Sequence, residues 1–422
     1  MSDLLERSAR YIDEGLYEGP GANNPTDGSF HEVADGIGVV AAFSHVWALR
    51  AAGELAVFDT SLAPFGHVAV DALRRWTDDP VTSIVYTHGH VDHVGGTPAF
   101  LADAERHGHA RPRIVSHENA PERFGRYQLT HGYNAVINRR QFGPAGLQFP
   151  SEFVAPDETF ELTHDLQVGD LAVELHHDRG ETDDHAWAWV PERKAIFSGD
   201  LFIWVFPNAG NPQKVQRYAA DWAVALRKMI ALGPELLLPA HGLPVAGRDR
   251  IRRVLDDTAT ALEGLLRDTL SMMNDGATLD EIVHTVRVPE RFAGLPYLRA
   301  TYDEPEFVVR NIWRLYGGWY DGNPARLKPP RDVDVAAEVC RLAGGPRALS
   351  VRAEEVADAD DLRLACQLVE WAAAAAPDDA EVHGRRAAIY QRRREHESSL
   401  MSKGIFGTAA QESEEVAGDG AR

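Results

Sequence analysis

Residues 88–93, with the sequence HGHVDH, constrain this chain more than any other segment, because they place three imidazoles and one carboxylate within six residues. The run just before them is short, apolar and β-branched, which is typical of a buried strand. We therefore expect these side chains on a loop that leaves a strand, where a sheet holds them rigidly. Imidazole nitrogen and carboxylate oxygen are ligands that suit zinc and its neighbours. His88 and His90 can point at one ion, whereas Asp92 and His93 turn toward a second.

This H-x-H-x-D-H pattern after a strand resembles the signature of the metallo-β-lactamase superfamily. The resemblance implies an αβ/βα sandwich, in which two mixed sheets pack face to face with helices outside. It also implies three further metal ligands. Glu181 stands where most members have a histidine, and Asp200 and His241 each follow an apolar run that is typical of a strand.

The resemblance thus assigns seven ligands to two zinc ions per chain: His88, His90 and Glu181 to the first, Asp92, His93 and His241 to the second, and Asp200 as a bridge between them. A solvated loop acid is the ordinary alternative for Glu181, and His185 competes for the same ion. Two close cations lower the pKa of a shared water, so that hydroxide is available near neutral pH. Asp92 and Asp200 are candidates for orienting that water.

A glutamate at the place of Glu181 resembles the alkylsulfatase branch of the superfamily. The segment YGGWYDGNP at residues 316–324 is close to the Gly-Trp-Phe-Asp-Gly-Asn-Pro segment of that branch. Two helices predicted at residues 361–376 and 380–394 resemble the tetratricopeptide-like end of the alkyl sulfatase dimerisation domain. The resemblance therefore implies a homodimer that forms through the helical region.

The chain also departs from that branch. We expect no counterpart of the lipid-binding-like C-terminal domain that usually helps to hold an alkyl chain. Asn208 falls at the place of an asparagine that grips sulfate, but the place of the partner arginine falls near Pro212 or Gln213. Lys214 and Arg217 are near enough in sequence to substitute for it. Lysine and arginine are not interchangeable for planar, bidentate recognition, so the sulfate-binding loop differs from the family pattern.

Composition limits the partners. A formal net charge of -21 argues against binding to nucleic acid or to anionic membranes. The two cysteines, Cys340 and Cys366, have no metal-like spacing and suit a reducing compartment. The N-terminus lacks the apolar core of a signal peptide, and no stretch approaches the length of a membrane span. We therefore predict a cytoplasmic protein without membrane insertion.

The sequence predicts an α+β chain in four parts: a lead-in at residues 1–30, a metallo-β-lactamase-like catalytic domain at 31–247, a helical dimerisation-like domain at 248–410 and a disordered acidic tail at 411–422. Residues 125–153 have no clear period and are predicted to form loops over the active site. A helix is expected from about Lys214 to Ala231.

The function that the sequence favours is a dinuclear zinc hydrolase of sulfate esters, acting on a small anionic ester such as an alkyl sulfate through a metal-bound hydroxide. The attack could fall on sulfur or on carbon. One alternative is another hydrolase of the superfamily, acting on a thioester, lactone, β-lactam or phosphoester. A third class is a non-enzymatic module that holds metal, while its helical domain does the biological work.

Overall fold

The computed structural model describes residues 3–143 and 149–419. The chain divides into two compact units: Met1–His131 with Pro150–Gly318, and Gly132–Phe149 with Trp319–Arg422. This division does not coincide with the predicted boundary at residue 247, because helical residues such as Ile251 and Val308 belong to the same core as the strands.

The first sheet has seven strands among the described residues, and they follow one another in chain order. These are β1 Phe30–Ala34, β2 Ile37–Val40, β3 Val46–Ala51, β4 Glu54–Phe58, β5 Val81–Val85, β6 Arg113–His117 and β7 Glu158–Phe160. β1 to β4 pair antiparallel, whereas β4 to β7 pair parallel. The carboxyl ends of β4 and β5 therefore lie at the same edge of the sheet.

The second sheet has six strands among the described residues, again in chain order. These are β8 Thr163–Val168, β9 Leu171–His177, β10 Ala186–Val190, β11 Ala195–Gly199, β12 Leu236–Pro239 and β13 Val245–Ala246. Neighbours pair antiparallel except β11 and β12, which are parallel. The residues that follow β11 and β12 therefore leave the sheet at the same edge.

The helices up to α8 precede the strands or lie between them, and from α9 onward the described residues form helices without strands. In chain order they are α1 Asp3–Glu14, α2 Pro20–Asn23, α3 Ala63–Trp76, α4 Val91–Val94, α5 Thr97–His107, α6 Asn119–Leu129, α7 His131–Phe142, α8 Ala219–Ala231, α9 Arg248–Asn274, α10 Leu279–Thr285, α11 Glu290–Ala293, α12 Pro305–Gly317, α13 Asp332–Leu342, α14 Pro346–Asp358, α15 Leu362–Ala375, α16 Ala380–His396 and α17 Leu400–Asp419.

The core of the first unit shows why the two sheets stack. Side chains alternate between the two faces of a strand, and β4 is buried on both. Leu55 and Val57 pack in a cluster with residues of α3 and α5. On the other face, Phe58 stacks on Phe197 of β11 with ring centroids 4.0 Å apart. The sheets therefore meet face to face with helices outside, and the predicted sandwich followed by an all-helical region is confirmed.

The lead-in predicted at residues 1–30 contains a helix that the sequence did not reveal. α1 buries Leu4, Leu5, Tyr11 and Ile12 against the core of the first unit. These four positions share one face of a helix, but the polar residues between them conceal the period. Strand β1 also begins within this segment, at Phe30.

The predicted loops at residues 125–153 are wrong for residues 125–142, because α6 continues to Leu129 and α7 runs from His131 to Phe142. The buried residues of α7 are Asn134, Ile137 and Gln141. Two of the three are polar, which explains why no apolar period was visible. Residues 144–148 of the predicted loop lie outside the described residues.

The predicted disordered tail also differs from the structure, because α17 continues through residue 411 to Asp419. Ser413 in this stretch is buried, and its Oγ lies 3.1 Å from His383 Nδ1 and accepts a hydrogen bond of 2.6 Å from Arg386. Two side chains of α16 thus anchor the helix. Residues 420–422 lie outside the described residues.

Throughout residues 3–143 and 149–419, no helix combines the length and the apolar character that crossing a bilayer requires.

Candidate metal centre

The structure places the predicted ligands at the carboxyl ends of four strands. The seven residues are His88 and His90 after β5, Asp92 and His93 on α4, Glu181 between β9 and β10, Asp200 directly after β11, and His241 after β12. α4 is a single turn that begins directly after His90. Both sheets therefore contribute to one site, and each ligand follows a buried strand or the turn beside it.

Asp200 lies at the centre of this group. Its Oδ2 is 3.9 Å from Nε2 of His88 and 3.5 Å from Nε2 of His93. Its other oxygen, Oδ1, is 3.6 Å from Nε2 of His241. One carboxylate thus faces three imidazoles, with its two oxygens directed at different rings.

The side chains form three overlapping groups whose potential ligand atoms lie within 4.8 Å of one another: His88 with His93 and Asp200, Asp92 with His93 and His241, and His90 with Glu181 and Asp200. Nε2 of His93 and Oδ1 of Asp200 are buried and have no hydrogen-bond partner among the described residues. Imidazole and carboxylate donors of this kind suit zinc. These donors therefore suit divalent metal ions, and Asp200 is the carboxylate that two of the groups share.

Asp59, at the end of β4, fixes the orientation of His93. Its Oδ2 lies 2.7 Å from Nδ1 of His93. The carboxylate also accepts two hydrogen bonds of 2.8 Å from Thr87, one from the backbone N–H and one from the hydroxyl. A proton on Nδ1 leaves the lone pair of Nε2 free, which is how an outer carboxylate commonly orients an imidazole ligand.

A buried ion pair supports the loop that carries His88 and His90. Asp184 accepts a hydrogen bond of 2.8 Å from the backbone N–H of Gly89 and one of 2.9 Å from Nε of Arg123. Arg123 lies on α6, is only 2% exposed and also pairs with Asp183. The pair therefore connects α6 to the backbone between the two histidines.

His185, the alternative ligand, has a different partner in the structure. Its Nε2 accepts a hydrogen bond of 3.0 Å from the backbone N–H of Asp200, and it belongs to none of the three donor groups found among the described residues. Gly199 has a φ of +52°, and a Cβ there would lie 2.8 Å from the His185 ring. His185 thus supports the turn that presents Asp200, and this turn requires glycine.

The His241 loop is held by several polar side chains. The backbone N–H of Gly242 donates a hydrogen bond of 2.7 Å to Asn24, and Nε2 of His45 lies 3.1 Å from the carbonyl of Gly242. Trp204 packs against Gly242 and donates a hydrogen bond of 2.6 Å to the carbonyl of Leu243. These contacts fix the backbone on the C-terminal side of His241.

Glu181 has two hydrogen-bond donors on one oxygen. Its Oε1 accepts a hydrogen bond of 2.5 Å from Nδ2 of Asn208 and lies 2.6 Å from Nη1 of Arg217. The same oxygen is 3.7 Å from Nδ1 of His90. Burial raises the pKa of Glu181 to about 7, although the charge of Arg217 opposes this shift. A further cation beside Glu181 would therefore stabilise its charged form.

Lys214 is placed differently from the other two predicted substrate residues. Among the described residues, none forms a hydrogen bond or an ion pair with its ammonium group. Burial and then the charge of Arg217 lower the pKa of Lys214 to about 8, while the carboxylates of Asp92 and Glu181 oppose the shift.

The predicted helix from Lys214 is wrong at its start, because α8 begins only at Ala219.

The side chains of the site differ in exposure. His88, His93 and Asp200 are buried, whereas His90, Asp92 and His241 are partly exposed. Lys214 is also partly exposed. A small molecule would therefore approach from the side of these partly exposed residues, with the shared carboxylate beneath them.

Three supporting residues were missed by sequence reasoning: Asp59, Arg123 and Asp184. Asp59 follows the apolar strand β4 in the same way that Asp200 follows β11, and this signal could have found it. Arg123 and Asp184 are 61 residues apart, and their pairing depends on the packing of α6. No local pattern distinguishes them from surface charges.

Comparison with known proteins agrees with this fold. Residues 40–241 match the family model of the metallo-beta-lactamase superfamily, and residues 278–415 match the model of alkyl sulfatase dimerisation. A linear primary-alkylsulfatase from Pseudomonas sp. is 28% identical over 339 residues, which cover 76% of this chain and 64% of the relative. An (R)-specific secondary-alkylsulfatase from Pseudomonas sp. is 25% identical, with 79% of this chain and 54% of the relative covered.

Among solved structures, the stereoselective inverting sec-alkylsulfatase Pisa1 from Pseudomonas sp. has the same fold. The TM-score is 0.82 at 23% identity, and the match covers 91% of this chain and 65% of the other. The fold and both matched regions agree with one another. Residues 40–241 thus resemble the metallo-β-lactamase superfamily and residues 278–415 the alkyl sulfatase dimerisation domain, as the sequence resemblance implied. It spans 64% and 54% of the lengths of the two curated relatives.

Proposed function

We propose that this protein is a dinuclear zinc-dependent hydrolase of sulfate esters, with alkyl sulfates as the favoured substrates. The observation that carries this proposal is the position of Asp200, which faces His88 and His93 with one oxygen and His241 with the other. The two relatives named above are alkylsulfatases, which supports the sulfate ester as the substrate class. Lys214 adds a cation near this site, and its ammonium group forms no ion pair with any described residue.

The seven predicted ligands would hold the two ions in the predicted arrangement. His88, His90 and Glu181 would bind one, and Asp92, His93 and His241 the other, with Asp200 between them. When bound, two such cations lower the pKa of a shared water and stabilise the charge that develops on an ester oxygen.

The residues of the chain would orient the attacking water and bind the substrate. Asp92 is partly exposed, and its Oδ2 lies 3.3 Å from Nε2 of His241. This carboxylate is therefore placed to orient an attacking water from the open side of the site. Asp200 is buried beneath it and interacts with several rings, so we assign it the bridging role first. Lys214 would meet the anionic end of the substrate.

One observation favours a second candidate function. Arg217, which the sequence offered as a sulfate contact, is hydrogen-bonded to Glu181. A site that offers the substrate a single lysine is less selective for a sulfate group over other groups. Another hydrolase of the superfamily, acting on a thioester, lactone, β-lactam or phosphoester, is therefore the alternative.

The dimerisation domain at residues 278–415 supports a homodimer as the assembly. Size-exclusion chromatography with light scattering tests this: about twice the chain mass of 46.5 kDa is expected, and a monomer at micromolar concentration would contradict it. The cytoplasmic location stays a prediction from the sequence.

The activity is tested by sulfate release from a medium-chain alkyl sulfate by the purified, zinc-loaded protein. We expect turnover that His88→Ala abolishes, because this residue belongs to a proposed ion site. His284→Ala is the matched control, because His284 is exposed on α10 and lies outside the donor groups. If protein with two zinc ions per chain releases no sulfate, the alkylsulfatase proposal is wrong, and thioesters and lactones are the next substrates to test.

A further inference from the structure

The region that carries Asn208, Lys214 and Arg217 divides into two kinds of side chain. Asn208 and Arg217 are both 3% exposed, and both contact the same oxygen of Glu181. Lys214 is partly exposed and has no such contact within the described part of the chain. The sequence analysis assigns these three residues to one anion-binding group, but only Asn208 and Arg217 contact Glu181.

Arg217 is tied to Glu181 through two groups at once. Its Nη1 lies 2.6 Å from the carboxylate and also donates a hydrogen bond of 3.0 Å to the backbone carbonyl of the same residue. Its own carbonyl accepts hydrogen bonds of 2.8 Å from Gln216 and 3.1 Å from Asn311 on α12. The guanidinium is therefore fixed on Glu181 from a backbone that is itself held in place.

The backbone next to Asn208 is also held in place. The carbonyl of Ala209 accepts a hydrogen bond of 2.7 Å from Asn311. The next backbone N–H, that of Gly210, donates a hydrogen bond of 2.6 Å to the buried carboxylate of Asp303. At Gly210 a Cβ would lie 2.2 Å from the backbone of Phe307, so the loop packs directly against α12. The amide of Asn208 thus points at Glu181 from a rigid loop.

Two donors on Oε1 have a clear consequence for the carboxylate. Both hydrogen bonds are charge-assisted, and such bonds are shorter and stronger than neutral ones. No described residue donates a hydrogen bond to the second oxygen, Oε2. The carboxylate is therefore held in one orientation, with one oxygen occupied by the protein. An imidazole that bound a metal through one nitrogen would carry a proton on the other, and so would offer no acceptor for either donor.

We propose that Arg217 and Asn208 are positioning residues for Glu181 as a metal ligand, which leaves Lys214, the partly exposed cation of the three, to contact the anionic group of the substrate. The proposal rests on the proposed function for the substrate, but the part that concerns Glu181 needs only metal binding. It also gives a reason for the glutamate: a carboxylate can accept the two donors that this loop supplies.

The first experiment measures zinc affinity without any substrate, by competition with a chromophoric chelator. Outer groups that orient a metal ligand commonly contribute 10–100-fold to metal affinity. We expect Arg217→Gln and Asn208→Ala each to weaken the binding of one zinc ion by about 10- to 100-fold, and Arg217→Lys to recover part of the loss. Lys214→Gln should not weaken zinc binding, because it removes only a cation that interacts with Asp92 and Glu181. Arg227→Gln is the matched control, because Arg227 pairs with Glu263, away from the site.

The second experiment measures binding of a medium-chain alkanesulfonate to zinc-loaded protein by calorimetry, because this anion has no ester bond to hydrolyse. Lys214→Gln should weaken binding by about 10- to 100-fold, which is the effect of losing one hydrogen bond to a charged group. Arg217→Gln at saturating zinc should bind the sulfonate as the wild type does. Lys194→Gln is the control, because Lys194 is exposed and pairs with Glu235.

The outcomes separate the two proposals. Unchanged zinc affinity in both Arg217→Gln and Asn208→Ala would overturn the positioning role. Loss of sulfonate binding in Arg217→Gln at saturating zinc would show that the arginine binds the anion, and would overturn the assignment of the anion to Lys214. If the wild type binds no sulfonate, the anion part and the proposed function fail together, while zinc affinity still decides the role of Arg217. Circular dichroism of each metal-free variant establishes that it is folded.

Discussion

The ion pair between Arg123 and Asp184 gives the sharpest stability prediction. Both side chains are buried, at 2% and 0% exposure. Asp184→Leu removes the acceptor for Nε of Arg123 and for the N–H of Gly89. Breaking a buried pair costs about 3–5 kcal/mol. Arg123 keeps Asp183 as a partner, so we expect about 3 kcal/mol from the pair and about 1 kcal/mol from the N–H.

The reverse change, Arg123→Met, leaves Asp184 with the N–H of Gly89 but without its cationic partner, and we expect it to cost about 3 kcal/mol. In the double variant neither charge is left buried alone. Replacing a buried pair with apolar residues is often close to neutral, so the double variant should lose only about 1–2 kcal/mol. The predicted coupling between the two sites is therefore larger than the loss in the double variant.

Urea unfolding followed by tryptophan fluorescence measures these free energies. Of the nine tryptophans, only Trp319 and Trp371 lie in the second unit, so seven report on the unit that contains the pair. A loss of less than about 1 kcal/mol in each single variant, or two losses that simply add, would show that the buried pair is not coupled in this way.

Three further predictions concern the support of the site. Asp59→Asn keeps a hydrogen-bonding side chain beside His93 but removes its charge, and we expect zinc affinity to fall about 10- to 100-fold; unchanged affinity in a chelator titration would contradict this. Gly242→Ala places a Cβ 2.3 Å from Trp204 at a φ of +103°, so we expect a loss of about 2–4 kcal/mol in urea unfolding, and a loss below about 1 kcal/mol would mean that the turn is not strained by a side chain. Burial lowers the pKa of His45 to about 3 from an ordinary value of 6.5. Between these pH values the unfolded chain binds the proton and the folded chain does not, so His45 makes stability fall as pH falls; His45→Gln should flatten the slope of unfolding free energy by up to about 1.4 kcal/mol per pH unit, and an unchanged slope between pH 4 and 6 would argue against it.

The positions of the expected ligands could be read from the sequence because the resemblance supplies their order and several of them follow a short, buried strand. In such strands the apolar run and the polar residue after it are local features, as at residues 195–200 and 236–241. The face-to-face sheets follow from the alternation on strands such as β4, together with the resemblance to a known superfamily.

The rest of the site depends on distant segments. Arg217 points at Glu181 across 36 residues, and Asp303 holds Gly210 across 93. Nothing local reveals these pairings, because they arise only when α12 packs on the loop. The helices α1 and α7 were missed for another reason: polar residues lie between or among their buried positions, so the apolar period is weak.

The proposed function depends most on one site that holds two ions with Asp200 between them. Its most direct test is the zinc content of the protein after exhaustive dialysis, by elemental analysis, for the wild type, Asp200→Asn and His284→Ala. We predict two zinc ions per chain in the wild type and in His284→Ala, and at most one in Asp200→Asn. Two ions retained in Asp200→Asn, or fewer than two in the wild type, would contradict the dinuclear site.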